Sequence, residues 1–235
     1  MEKLNPLSRR QFLGRSAVGA IGAATLPGII TSCSSQGDAK NALNQVEIPE
    51  LLAAAPDGKP LKAGLIGCGG RGTGAATNFL AAGPNLQIVA LGDLFADRLN
   101  ACRQALKEKG QEIADNKCFL GFDAWHKVLD AGVDVVLLCT PPVFRPAHFE
   151  AAIKAGKHVF MEKPCAVDPV GARTILIASK KAEQSGLCVV SGTIRRSQKD
   201  CVETYRRVAG GAIGEIISAH VVRNGGALWH RKRQP

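Results

Sequence analysis

Six short apolar runs, each followed by a turn and most by a helical stretch, constrain the fold of this chain more than any other feature. They begin at Leu61 and cover Leu86 to Leu91, Cys118 to Leu120, Asp134 to Cys139, Val159 to Met161 and Leu187 to Ser191. Between them lie helical segments at Gly74 to Ala82, Ala96 to Lys109, Ala124 to Ala131, Ala147 to Ala155, and from the Asp168-Pro169 cap to Gly186. In the second of these, Leu99, Cys102 and Leu106 repeat at i, i+3 and i+7, as on one helix face. The run DVVLLC is apolar throughout, as in a parallel strand buried on both sides. Strict alternation with short loops predicts an α/β chain with a doubly wound parallel sheet.

The first run leads into a glycine-rich turn, LKAGLIGCGGRG, with Gly67, Gly69 and Gly72 in G-x-G-x-x-G spacing and Gly70 and Arg71 inside it. Such glycines permit a tight turn, close approach of backbone to a pyrophosphate, and packing of helix on strand, with the helix N-terminus facing the anion. Asp93 ends the second run, 21 residues after Gly72, near where a dinucleotide fold places the acid that binds ribose hydroxyls. A carboxylate there favours NAD over NADP, while Arg98 leaves the choice open. Arg71 could reach a phosphate or pair with an acid such as Asp97. The competing reading is a glycine turn that binds nothing.

The fifth run stops on Glu162, Lys163 and Pro164. That sequence sets two charges at the carboxyl edge of the sheet, where open α/β folds hold their ligands. Pro164 restricts Lys163 toward extended backbone, so its amine is aimed with less freedom to lose. Lys163 is the catalytic candidate. The alternative is a lysine that only pairs with Glu162.

With 235 residues, 46% of them hydrophobic, the chain can bury a sizeable core. Its net charge is +10 at pH 7, of which residues 1–32 hold +3. The remaining excess is scattered, and Arg231-Lys232-Arg233 has no interleaved aromatics, so nucleic-acid binding is not expected. Seven of the eight cysteines lie between Cys68 and Cys201 without C-x-x-C spacing, which predicts core residues and no metal site.

Ser8-Arg9-Arg10-Gln11-Phe12-Leu13 resembles a twin-arginine export signal and precedes an apolar stretch, Ser16 to Ile30, too short for a comfortable membrane span. Ile30-Thr31-Ser32-Cys33 resembles a permissive lipobox, with Cys33 as the lipidated residue; cleavage nearby without lipid is the alternative. Residues 1–33 thus read as signal, 34–60 as a polar tether, 61–192 as a nucleotide-binding domain, and 193–235 as the start of a second domain. In that last segment a helix is expected over Gln198 to Ala209 and a strand over Ile216 to Val222. Export across the bacterial inner membrane would leave the protein periplasmic or lipid-anchored, with the twin-arginine machinery as a partner.

Five motifs in order, AGLIGCGGRG, VALGDLFADR, DVVLLCTPP followed by His148, AGKHVFMEKP and GAIGEI, resemble the glucose-fructose oxidoreductase, inositol dehydrogenase and MocA family. The resemblance implies a Rossmann domain joined to a second α/β domain with an open, largely antiparallel sheet, and hydride transfer between NAD or NADP and a sugar or polyol carbon. It implies that Gly67, Gly69 and Gly72 hold the pyrophosphate, and Asp93 the adenosine ribose. Thr140, Pro141, His148 and Glu162 would line the nicotinamide side. Lys163 would contact the nicotinamide ribose and the reacting hydroxyl. Arg196 and Trp229 are substrate candidates, and His230 reads as a loop or substrate-edge residue rather than the base, which the family carries in a region beyond Pro235. The chain therefore reads as truncated in its second domain, and a homo-oligomer is expected at full length. Relatives that retain NAD and cleave or epimerise sugars through transient oxidation give an alternative activity; an inactive nucleotide-binding fragment is another.

Overall fold

The computed structural model describes residues 60–222, 224 and 225. The twin-arginine segment, Cys33, Trp229 and His230 lie outside them. Six strands, β1 (Leu61–Ile66), β2 (Leu86–Asp93), β3 (Cys118–Leu120), β4 (Val135–Leu138), β5 (His158–Met161) and β6 (Val189–Ser191), form one sheet in the order β3-β2-β1-β4-β5-β6. Every pairing is parallel. This is the doubly wound Rossmann arrangement, and its order reverses between β1 and β4.

Helices α1 (Gly70–Ala81), α2 (Ala96–Lys107), α3 (Ala124–Leu129), α4 (Arg145–Lys154) and α5 (Pro169–Gln184) make the crossovers. Strand alternation divides the core between the two faces. In β4, Val136 and Leu138 join a cluster with Val128 of α3, Phe149 of α4 and Ala178 of α5, whereas Leu137 joins one with Ala76 of α1 and Leu99, Cys102 and Leu106 of α2. Phe149 is fully buried, so its truncation to alanine costs on the order of 3–5 kcal/mol. On the α1 side of the sheet a groove of about 740 Å³ runs past Leu61, Phe79, Leu137, Phe160 and Val190.

Local chemistry fixes the helix ends. Asp168 accepts a hydrogen bond from Gly171 N at 2.8 Å, with Pro169 at the first helical position of α5. Gly156 follows α4 at φ +68°, the left-handed conformation that suits a glycine stop. Two starts differ from expectation. Helix α1 begins at Gly70 rather than Gly74, because Gly69 is the extended N-cap and its carbonyl already accepts from Thr73 N at 2.9 Å. Helix α4 begins at Arg145 rather than Ala147, helped by Pro146, whose missing N–H costs nothing in a first turn.

The described residues fall into two compact units, the first ending at Lys199 and the second including those from Asp200 onward. Helix α6 (Lys199–Ala209) lies almost wholly in the second and carries the i, i+4 pair Glu203–Arg207 at 2.8 Å. The strand expected over Ile216 to Val222 is absent: this segment pairs with no strand among the described residues, and Ile217 and Val221 are 88% and 90% exposed. Alternating apolar residues make a strand only where a neighbour supplies ladder bonds and a face to bury.

Candidate functional site

The ends of β1, β2, β4 and β5 converge on one edge of the sheet, and the candidate residues lie there. Gly67 follows β1 at φ +95°, its N–H donating to Gly92 O at 2.8 Å. A Cβ on Gly67 would stand 2.8 Å from the Cys139 carbonyl carbon, and one on Gly72 only 1.8 Å from Gly67 O. Both glycines let α1 sit against the strand ends. Gly69 differs, because a Cβ there would meet only Arg98 Nη1, at 3.8 Å. The first and third glycines are thus committed to packing, and the second leaves open room beside the α1 N-terminus, as a pyrophosphate requires. The loop fits a dinucleotide.

Asp93 closes the loop from β2. Its Oδ2 accepts from Cys68 N at 2.6 Å and its Oδ1 from Phe95 N at 2.9 Å. A carboxylate offers about four lone-pair sites, so two remain for ribose hydroxyls. Arg98, on α2, stacks its guanidinium 5.1 Å from the centre of the Phe95 ring. Cys68 is held protonated by its hydrogen bond to Cys102 and by burial, and burial and then the Glu162 charge push Cys139 up to about 12. All seven described cysteines are free.

Across the switch point, charges replace glycines. Glu162, 5% exposed, receives Arg71 Nε at 2.8 Å and pairs with Arg71 Nη2 at 2.5 Å. The acid that Arg71 pairs with is thus Glu162 rather than Asp97. This pairing leaves the Lys163 amine without Glu162 as its ion-pair partner. A Cβ on Gly192 would fall 2.7 Å from Glu162 Oε1, so the carboxylate lies directly against the end of β6. Lys163 is exposed just past β5. Thr140 Oγ1 lies 3.3 Å from His148 Nδ1, and burial with a nearby His126 pushes His148 down to about 4, leaving it neutral near pH 7.

Pro141 is exposed in the loop after β4, and Arg196 is exposed in a short 3-10 turn, Ile194–Arg196. No contact places Arg196 with Lys163. Sequence reasoning missed Arg145, 6% exposed at the start of α4, which donates from Nη1 to Pro164 O. Its only sequence signal was a charge at a helix start between apolar neighbours. Among the described residues no group of histidine, cysteine or acidic side chains could hold a metal ion, and no helix is long and apolar enough to cross a membrane.

Residues 61–191 match the profile of the oxidoreductase family with an NAD-binding Rossmann fold, the Gfo/Idh/MocA family. The chain belongs to this family. It is 28% identical over 165 residues to the scyllo-inositol 2-dehydrogenase (NAD(+)) of Bacillus subtilis, covering 67% of this chain and 42% of that protein. It is likewise 28% identical over 165 residues to the D-glucoside 3-dehydrogenase of Escherichia coli, covering 70% and 44%. A solved Lactobacillus casei scyllo-inositol dehydrogenase with bound NAD(H) and scyllo-inositol superposes with a TM-score of 0.55 at 30% identity, over 67% of this chain and 43% of that one. The chain spans less than half the length of these Gfo/Idh/MocA relatives.

Proposed function

We propose that the protein is a nicotinamide-dependent oxidoreductase that moves hydride between a sugar or polyol carbon and NAD, with Lys163 as its catalytic lysine. The observation that carries this is the shared sheet edge: the glycine loop and Lys163 follow strand ends, Asp93 is the last residue of β2, and Arg71 ties the loop to Glu162, the residue before Lys163. Gly67, Gly69, Gly70 and Gly72 with the α1 N-terminus receive the pyrophosphate. Asp93 takes the adenosine ribose through its free lone pairs and repels a 2′-phosphate, which favours NAD over NADP. Thr140, Pro141 and neutral His148 line the other half. The cofactor, when bound, supplies the hydride acceptor. The Lys163 ammonium beside the reacting oxygen donates a hydrogen bond to it and stabilises alkoxide character there, while the hydroxyl proton passes to a separate base.

The likeness to inositol and glucoside dehydrogenases supports a sugar or polyol as the substrate class. Export on the twin-arginine route, with Cys33 as a lipid attachment point, is part of the same proposal and is supported by the Ser8–Leu13 motif. That route carries folded proteins, consistent with loading a nucleotide before export.

The test is mass spectrometry of the nucleotide released from the denatured protein of the native host, followed by Lys163→Ala kinetics on the same full-length chain. NAD at near one equivalent, with kcat lowered about 10²- to 10⁴-fold and NAD still bound, is the expected result. An unchanged kcat removes Lys163 from the mechanism.

A further inference from the structure

Resting on the reading of Lys163 as the catalytic amine, we propose that Arg145 is a positioning residue that fixes the Lys163–Pro164 turn at the cofactor edge. The β5 ladder ends one residue short of Lys163: Glu162 N donates to Leu138 O at 3.0 Å, and Gly192 N donates to Met161 O at 2.8 Å. Beyond that point, the Arg145 Nη1 hydrogen bond to Pro164 O anchors the turn. Lys163 itself is exposed, so packing does not hold it.

Arg145 is poorly explained as a stabilising residue. It is 6% exposed, and burial pushes its guanidinium below its usual range. None of the ion pairs among the described residues includes it. Its Nε–H is buried without a partner. It also opens α4, placing a cation at the positive end of a ten-residue helix. Each circumstance is unfavourable, and removing such a group in favour of an apolar one of similar length is often neutral or stabilising. What the guanidinium supplies is geometry: a planar, always-charged fork that reaches from α4 to the carbonyl following Lys163. A lysine shares the charge but not the fork.

The experiment compares full-length wild type with Arg145→Met and Arg145→Lys. It measures melting temperature, NAD dissociation constant, and protection of Lys163 by NAD against acetic anhydride, followed by mass spectrometry of the Lys163 peptide. For Arg145→Met the expected result is an unchanged or raised melting temperature and NAD affinity within about twofold, while protection of Lys163 falls at least about fivefold, the separation of binding from placement that positioning demands. Arg145→Lys should fall between the two. Wild-type protection retained by a folded, NAD-binding Arg145→Met overturns this inference alone. No protection in wild type, despite bound NAD, overturns the reading of Lys163 and this inference with it. If Arg145→Met does not fold, Arg145→Lys decides: reduced protection supports positioning, and wild-type protection refutes it.

Discussion

The two halves of the sheet edge solve different problems with different materials. On the β1–β2 side the site is shaped by what is missing: Gly67 and Gly72 give up side chains so that backbone can meet backbone. On the β4–β5 side it is shaped by buried charge and polar groups, with Glu162, Arg145 and His148 each less than a tenth exposed. Close backbone packing tolerates little added volume, whereas a buried charged or polar group responds to protonation and to the loss of its partner. The first half should therefore fail through stability, and the second through placement and protonation.

The largest effect sharpens that contrast inside one loop. Gly72→Ala would drive a Cβ to within 1.8 Å of Gly67 O and should cost more than about 4 kcal/mol in urea unfolding. Next comes the charged half. Burial keeps His148 neutral in the folded protein, at about 4, while the unfolded residue titrates near 6.5, so the unfolded state binds more protons in between. The resulting stability is complete above about pH 6.5 and is lost as pH falls toward 4, amounting to roughly 3 kcal/mol. His148→Gln should flatten that part of the pH–stability curve, as measured by denaturant unfolding at pH 7 and pH 4.5. Gly69→Ala should break the pairing of shape with stability. With open space at that position, unfolding should change by less than about 0.5 kcal/mol, while NAD affinity measured by titration falls at least about tenfold because the pyrophosphate loses its approach. Least affected should be the surface Glu150–Lys154 pair, 2.9 Å apart on α4, where solvent screening leaves the thermal unfolding midpoint of Lys154→Ala nearly that of the wild type.

The same division governs what could be read from the sequence. The strands and glycine spacing were legible because a pyrophosphate turn is encoded within a dozen residues, and β4 was legible because its continuous apolar run suits burial on both faces. The helix starts at Gly70 and Arg145 were not, since glycine and proline read as breakers until the cap geometry shows them inside a first turn. The Arg71–Glu162 pair joins residues 91 apart, and no local pattern encodes such a distance. Arg145 was missed because its meaning lies in burial and in the carbonyl of Pro164. The expected strand at Ile216 to Val222 failed for a related reason: its alternation was visible, but a ladder requires a partner.

The strand order carries a consequence for timing. β1 occupies the middle of the sheet, flanked by β2 and β4, and its bond to the second of these begins where Lys62 N donates to Asp134 Oδ2, 72 residues later. During synthesis the first strand must therefore wait, with one edge unsatisfied, until more than half of the nucleotide-binding unit has emerged. Closing so long a loop before non-local contacts can reward it slows folding and exposes apolar edges meanwhile. Any process that requires a finished domain waits still longer, for β5 and β6 to pair outside β4, and is set by the end of this unit, not by the chain's beginning.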